Sequence, residues 1–282
     1  TGILHAAADT RFTASAGELQ ETNVGGTGQV LAFAARCRRL DRLSALSTVY
    51  VSGRRRGDIL ESELEHEAGF VNAYEASKYE AERLLRRWMP RLPISVVRLS
   101  TAIGDSRTGR VGRLGAIHQS LRLMYRSLAP FVPGGADHPV DVVPIDYSVE
   151  ASLCLFADAF EPGATYHVCA GRDTLALSEF LDVAFEAFGR FRPAWRKRAI
   201  ERPSLVDLET FERFRRSVED IGDSALRDST AVIASFAPQL AYPKRFDDAV
   251  CRAAIGPAGI VRPAIRNACV RTIQYLLESQ WG

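Results

Sequence analysis

Apolar residues fall along the chain in short runs separated by charged stretches of helical period. Ile3–Ala7 (ILHAA) is a mostly apolar, strand-like segment and predicts a short buried strand. From Ala16 to Arg39 the residues Leu19, Val24, Val30, Leu31, Ala34 and Ala35 recur at helical spacing. Leu46–Val51 (LSTVYV) is rich in β-branched and aromatic residues and predicts a strand. Ala73–Trp88 (AYEASKYEAERLLRRW) is a strong helix former stopped by Pro90, and Ile94–Leu99 (ISVVRL) is a third buried strand. Weaker strand patterns lie at Val140–Val143 and Tyr166–Cys169, and helices are expected over Ser148–Phe160, Ser178–Gly189 and Ala264–Ser279. Strands alternating with helices predict an α/β fold built on a parallel sheet. Residues 190–245 are charged and helical without a clear place in that scheme.

Composition narrows this picture without redirecting it. A chain of 282 residues, 46% hydrophobic and 25% charged, is long enough for one large domain or a core domain with a smaller lobe. Its net charge of +2 gives no global reason to expect nucleic acid, and the basic runs Arg36–Arg42 and Arg54–Arg56 read as solvated faces. No apolar run approaches the roughly 18 residues that a membrane span requires. The cysteines at 37, 154, 169, 251 and 269 have no CxxC spacing and read as reduced, mostly buried thiols of a cytoplasmic protein. His5, His66, His118, His138 and His167 are scattered without metal-ligand spacing, so no metal is expected. Asp137, Asp141 and Asp146 are expected to cap turns.

Two local features carry chemistry. In NVGGTGQVL, residues 23–31, Gly25, Gly26 and Gly28 look like a phosphate-cradling loop, yet they lie inside a helical pattern and do not spell GxGxxG. A glycine inside a helix costs about 1 kcal/mol against alanine, and close packing of this helix on the sheet is the expected compensation. In YEASK, Tyr74 and Lys78 are four residues apart and share one helix face. A tyrosine of ordinary pKa, about 10, is a poor proton exchanger at neutral pH, and a neighbouring ammonium makes it a better one. Thr48 closes the LSTVYV strand, where the hydroxyl of a parallel strand's end points into the ligand crevice of an open α/β sheet.

With ILHAAADT, NVGGTGQVL, LSTVYVSG, YEASKYEAE, RLSTAIGDSRTG, PVDVVPIDYSVEA and ATYHVCAG in this order, the chain resembles the extended short-chain dehydrogenase/reductases up to about residue 189. GDSRTG and VDVVPIDY are most similar to the branch of fatty acyl-CoA reductases and thioester reductase domains. The resemblance implies a Rossmann-like doubly wound parallel sheet over residues 1–189, with 105–145 contributing to the substrate side, and a small, mostly helical substrate lobe over 190–282. It implies that Thr48 binds the substrate carbonyl, Tyr74 donates the proton, and Lys78 holds the nicotinamide ribose and lowers the Tyr74 pKa. Asn23 corresponds to an asparagine that orders the active-site helix and its proton-relay water. Ala6, Ala7 and Ala8 correspond to the turn against the cofactor's ribose and adenine side, and Leu99, Ser100, Thr101 and Ala102 to the loop at its nicotinamide end. The implied cofactor is NADP(H), with NAD(H) as the alternative.

Departures from the family pattern accompany these matches. Residue 1 falls where the family's fourth strand begins, so its glycine-rich loop, with the determinants that choose NAD from NADP, is missing from this sequence. A segment of a longer protein is the favoured reading of that gap, and a chain that has lost much of its cofactor site is the other. Arg98-Leu99 stands where the family often has Arg-Pro, which leaves the nicotinamide contact open, and the Ser106–Gly109 loop reads either as substrate-facing or as a surface turn. The basic, apolar helix near the C-terminus would suit an acyl chain or a membrane face, although packing of a terminal helix is preferred. The leading expectation is reduction of an acyl thioester, presented by CoA or a carrier protein, to an aldehyde. Alternatives are a hydroxy-acyl, sterol or nucleotide-sugar dehydrogenase/epimerase, and a non-catalytic binding module.

Overall fold

The computed structural model describes residues 1–197, 200–221 and 224–281. The chain divides into two compact units that interleave along the sequence. The first contains Thr1–Ser100, Tyr147–Arg172 and Arg245–Arg262; the second contains Thr101–Asp146, Asp173–Lys244 and Pro263–Gly282.

The first unit is built on a four-stranded parallel sheet. In chain order it begins with β1 (Gly2–His5), α1 (Ala16–Leu19), a π-helical turn (Gln20–Gly25) and α2 (Gly26–Ala34). Then come β2 (Arg42–Thr48), β3 (Gly57–Ile59), α3 (Ala73–Trp88) and β4 (Ile94–Leu99). The sheet order is β1, β2, β4 and the strand Thr165–Val168, all parallel, with Gly2 opposite Arg42, Leu43 opposite Ile94 and Val96 opposite Thr165. Parallel strands joined by helices need both faces covered, which is why β4 is buried from Ile94 to Arg98 and apolar at four of its six positions. One core cluster joins Leu31 and Ala34 of α2, Leu43 and Ala45 of β2, Leu85 of α3, and Ile94 and Val96 of β4.

Local chemistry sets the element ends. Ser15 caps α1 through a reciprocal box, accepting from Glu18 N while the Glu18 carboxylate accepts from Ser15 N. The strand expected at Leu46–Val51 ends instead at Thr48, and Val49–Ser52 is a 3-10 turn. The Thr48 hydroxyl accepts from Tyr50 N at 3.3 Å and so turns the chain out of the sheet. Gly53 completes the turn at φ +55°, where an added Cβ would lie 2.1 Å from the Gly69 carbonyl oxygen.

The second unit combines short strand pairs with helices. Thr101–Ile103 runs parallel to Val142–Pro144, Phe131–Pro133 parallel to Ser204–Val206, and Pro139–Val140 antiparallel to Leu175–Ala176. The single strand expected at Val140–Val143 is thus two strands with different partners, separated at Asp141. The helix Ile265–Glu278 buries Ile265, Ala268, Cys269, Ile273, Leu276 and Leu277 and packs against the helix Leu177–Phe191, so its apolar face serves packing. All five cysteines are free, and four of them are buried. Among the described residues, no helix is long and apolar enough to cross a membrane.

Candidate active site

The candidate site lies in the first unit at the C-terminal ends of β1 and β2 and along α3. Asn72 starts α3: its side chain accepts from Glu75 N at 3.0 Å, while Glu75 accepts from Val71 N at 3.0 Å. This start places Tyr74 in the first turn and Lys78 one turn later on the same face. The half-buried Tyr74 ring packs edge-on against Phe12 at 5.4 Å, and the Tyr74 and Thr48 side chains are hydrogen-bonded. Lys78 Nζ donates to the Leu46 carbonyl of β2 at 2.9 Å. Thr48, Tyr74 and Lys78 are therefore brought together.

Asn23 is buried in the π-helical turn and has every polar atom engaged. Its Oδ1 accepts from Asp9 N at 2.8 Å, and its Nδ2 donates to Asp9 O at 3.0 Å and to Ser77 Oγ at 2.9 Å. Ser77 Oγ in turn donates to Tyr74 O at 2.8 Å. Asn23 thus ties the loop after β1 to the first turn of α3. Below it, Thr27 Oγ1 donates to Asn23 O at 2.7 Å and lies 3.1 Å from His5 Nε2 at the end of β1. The π-helical turn widens the helix by one residue at the position of Asn23, a device common at functional sites.

Glycines 25, 26 and 28 are not explained by close packing on the sheet. Gly25 and Gly26 have ordinary helical dihedrals, an added Cβ at Gly26 would meet nothing within 4 Å, and one at Gly28 would meet only Leu84 Cδ2 at 3.7 Å. Nothing in the fold of this unit requires glycine at Gly26.

Burial dominates the site's electrostatics. It pushes the Tyr74 pKa up to about 12, against the opposing Thr48 hydrogen bond, so the phenol is protonated at neutral pH. The Tyr74 pKa is thus raised, where a lowered value was expected. Burial pulls Lys78 itself down to about 8, with Glu82 acting in the other direction. His5 is lowered by burial and then by the Lys78 charge.

The cofactor-side residues divide between the units. Ala6 and Ala7 are exposed and Ala8 is half-buried on the loop after β1. Leu99 stands opposite Thr48 in the β2–β4 register, and Ser100 N donates to Val168 O at 3.0 Å. Thr101 and Ala102 open the strand Thr101–Ile103 of the second unit.

A buried polar network behind α3 was not anticipated from the sequence. Arg98, 1% exposed, donates to Glu82, 0% exposed, from Nη2 at 2.6 Å and from Nε at 3.1 Å. It also reaches Glu63 O at 2.7 Å, Glu61 O at 3.4 Å and His167 Nε2 at 3.0 Å. Arg98 therefore points into the core. His167 Nδ1 donates to Asp247 O at 2.8 Å, and burial and the Arg98 charge bring its pKa down to about 3. Glu61 accepts from His167 N at 2.8 Å, Val250 N at 2.6 Å and Cys251 N at 3.0 Å, yet burial raises its pKa. The one available signal was Glu82, four residues beyond Lys78 and eight beyond Tyr74, on the same helix face.

Comparison with known proteins agrees with this architecture. Among curated proteins none matches the chain. Among solved structures, the terminal R domain of the myxalamid PKS-NRPS biosynthetic pathway is similar at 24% identity and a TM-score of 0.78, over 100% of this chain and 69% of that one. A thiolation-reductase di-domain from an archaeal non-ribosomal peptide synthetase is similar at 19% identity and a TM-score of 0.70, over 99% of this chain and 58% of that one. UDP-glucuronic acid 4-epimerase from Bacillus cereus, solved with NAD, gives 12% identity and a TM-score of 0.67, over 100% of this chain and 75% of that one. At these identities the likeness establishes the shared Rossmann-like fold. Residues 1–152 match the NAD-binding family described as male sterility protein, and the chain belongs to that family, a member of the extended short-chain dehydrogenase/reductases, which are NAD(P)-dependent oxidoreductases.

Proposed function

We propose that the chain reduces an acyl thioester, carried by CoA or a carrier protein, to the aldehyde, with Thr48, Tyr74 and Lys78 as its working residues. The observation that carries this reading is the convergence of Thr48 and Tyr74 beside Lys78, with the phenol held in its protonated form. A protonated phenol suits carbonyl reduction, in which the enzyme must deliver a proton to oxygen. The resemblance of the fold to a thiolation-reductase di-domain of a non-ribosomal peptide synthetase supports the thioester as substrate.

The donor set suits a nicotinamide nucleotide. Lys78 carries three N–H donors and spends one on Leu46 O, which leaves two for the ribose hydroxyls. The small, exposed Ala6 and Ala7 allow a close approach to the backbone after β1. Leu99 and Ser100, followed in the chain by Thr101 and Ala102, supply the loop for the nicotinamide end. NADP(H) is favoured, with NAD(H) as the alternative. A nicotinamide held by these residues would supply the hydride for carbonyl reduction.

Thr48 and Tyr74 would donate hydrogen bonds to the thioester oxygen as negative charge develops there. Tyr74 then transfers its proton to that oxygen, giving a hemithioacetal. Breaking its C–S bond releases the thiol and leaves the aldehyde. Asn23 holds the loop after β1 against the first turn of α3, keeping Tyr74 in place.

The test is NADPH oxidation by the full-length protein with octanoyl-CoA, following aldehyde and free thiol together. Tyr74→Phe is expected to lower turnover about 100-fold or more while the far-UV spectrum is unchanged. Retention of activity within a few-fold would remove Tyr74 as the acid. If octanoyl-CoA is not consumed while a UDP-sugar or hydroxy substrate is turned over, the dehydrogenase/epimerase alternative replaces this reading.

A further inference from the structure

The loop that leaves β1 is fixed more firmly than its exposure suggests. Thr10, Arg11, Thr13 and Ser15 are exposed, yet Asp9 is held through its backbone on both sides by Asn23. Asn23 Oδ1 accepts from Asp9 N at 2.8 Å, and Nδ2 donates to Asp9 O at 3.0 Å. The Asp9 carboxylate turns the chain by accepting from Arg11 N at 2.9 Å. It also accepts from the Arg11 guanidinium, from Nη2 at 2.6 Å and from Nε at 3.1 Å. Ala14 N donates to Arg11 O at 3.3 Å, and Ser15 then caps α1.

Every one of these side-chain anchors is polar, and Phe12 is not among them. Phe12 stands between two exposed neighbours and is itself half-buried. Among the described residues its sole ring partner is Tyr74, met edge-on at 5.4 Å with an interplanar angle of 66°. The two rings hang from one side chain. Asn23 Nδ2 donates both to Asp9 O, which fixes the loop, and to Ser77 Oγ at 2.9 Å, which in turn donates to Tyr74 O at 2.8 Å. Tyr74 is half-buried as a residue, yet burial is the leading influence on its phenol. The charged groups around it are Glu75 and Lys78 of α3, the paired Asp9 and Arg11 of the loop, Glu18 of α1 at 3.7 Å from Arg11, and His5 at the end of β1. Replacing Phe12 alters none of these charges, so a change at Tyr74 on its replacement reports cover and not electrostatics.

We infer that Phe12 is a positioning residue for the proton donor, its ring held against Tyr74 by the Asp9 clamp so that water is kept from the phenol. This rests on the reading of Tyr74 as the acid that protonates the substrate oxygen. A hydrogen bond from a phenol to a developing oxyanion is stronger where water does not compete for either partner. Water admitted at the ring would weaken that bond and stabilise the phenolate, which has no proton to give.

The experiment follows the ionisation of Tyr74 in the full-length protein by NMR with carbon-labelled tyrosine, the Tyr74 signal being identified by its loss in Tyr74→Phe. In wild type the midpoint is expected at about 12, above the ordinary tyrosine value of about 10. In Phe12→Ala it is expected to fall by about one pH unit or more toward the ordinary value, whereas Phe12→Leu, which keeps an apolar cover, should stay close to wild type. With octanoyl-CoA, kcat of Phe12→Ala is expected to be about 10-fold lower with little change in KM, and Phe12→Leu should recover most of the loss. An unmoved Tyr74 midpoint in Phe12→Ala overturns the inference, and so does a wild-type kcat in that variant. Should Phe12→Ala not fold, Phe12→Thr is measured in its place and judged by the same two outcomes. Should wild type leave octanoyl-CoA unreduced, the proposed function fails, and the Tyr74 midpoint, measured without substrate, still decides whether Phe12 keeps water from the phenol.

Discussion

Replacing Glu82 by Gln tests the link between the buried ion pair and the chemistry on α3. The change keeps the side chain's shape and removes its charge, leaving the Arg98 guanidinium 1% exposed without a counter-ion. Breaking a buried pair from one side costs about 3–5 kcal/mol. The low end applies here, because the Glu63 carbonyl at 2.7 Å and the Glu61 carbonyl at 3.4 Å still accept from Arg98. The Gln amide oxygen retains one further acceptor. A loss of about 3 kcal/mol corresponds to a fall in Tm of roughly 6–12 °C at this chain length. Urea unfolding of wild type and variant measures the loss. Glu82→Met/Arg98→Met, which removes both charges, is expected to recover most of it. The same substitution acts on Lys78, which burial holds at about 8 with Glu82 opposing. In Glu82→Gln the alkaline limb of kcat/KM is expected to move to lower pH. A stability loss below about 1 kcal/mol, or a double variant no better than the single one, would refute the reasoning.

Other expectations follow from single observations. Activity of wild type should fall as pH rises through about 8, where Lys78 loses its proton, and in Lys78→Arg the weaker activity that remains should lose this limb. Gly26→Ala should raise stability by about 0.5–1 kcal/mol in thermal unfolding, because a helical glycine with open space at its Cβ gains propensity at no steric penalty; destabilisation would show that the helix needs this glycine. Burial brings the His167 pKa down to about 3 in the folded chain, against an ordinary histidine value of about 6.5 when unfolded, so the folded state binds fewer protons between those values. Its contribution is complete above pH 6.5 and is lost as pH falls toward 3, by about 5 kcal/mol in all, with His5 and His118 acting in the same direction. Unfolding followed across that range should give a shallower slope in His167→Gln, and an unchanged slope would place the acid sensitivity elsewhere.

Much of the first unit was legible in the sequence. Ile94–Leu99 and Ala73–Trp88 coincide with β4 and α3, because a long apolar strand and an uninterrupted run of helix formers closed by Met89-Pro90 are decided by local pattern. Tyr74 and Lys78 share a face by helical period alone, so the pair was visible before any fold. The end of β2 was not, since Val49–Val51 has strand-like composition. What ends the strand is a hydroxyl–amide bond from Thr48 that competes with the sheet ladder. Nor could the sequence show that Val140–Val143 divides at Asp141, because strand pairing is settled by partners distant in the chain.

What the sequence determined by itself is therefore the periodic part: parallel strands, the active-site helix, and the residue types at the ends of β1 and β2. Tertiary structure alone decided how those residues are ionised and what holds them. Arg98 is a core cation, because Glu82 of α3 and the carbonyls of Glu61 and Glu63 in the segment before it converge on its guanidinium. Burial dominates both Tyr74 and Lys78, leaving the phenol protonated and bringing the ammonium down to about 8. Pattern follows from bonds along the chain, whereas desolvation and counter-charge come from neighbours that only the folded state assembles.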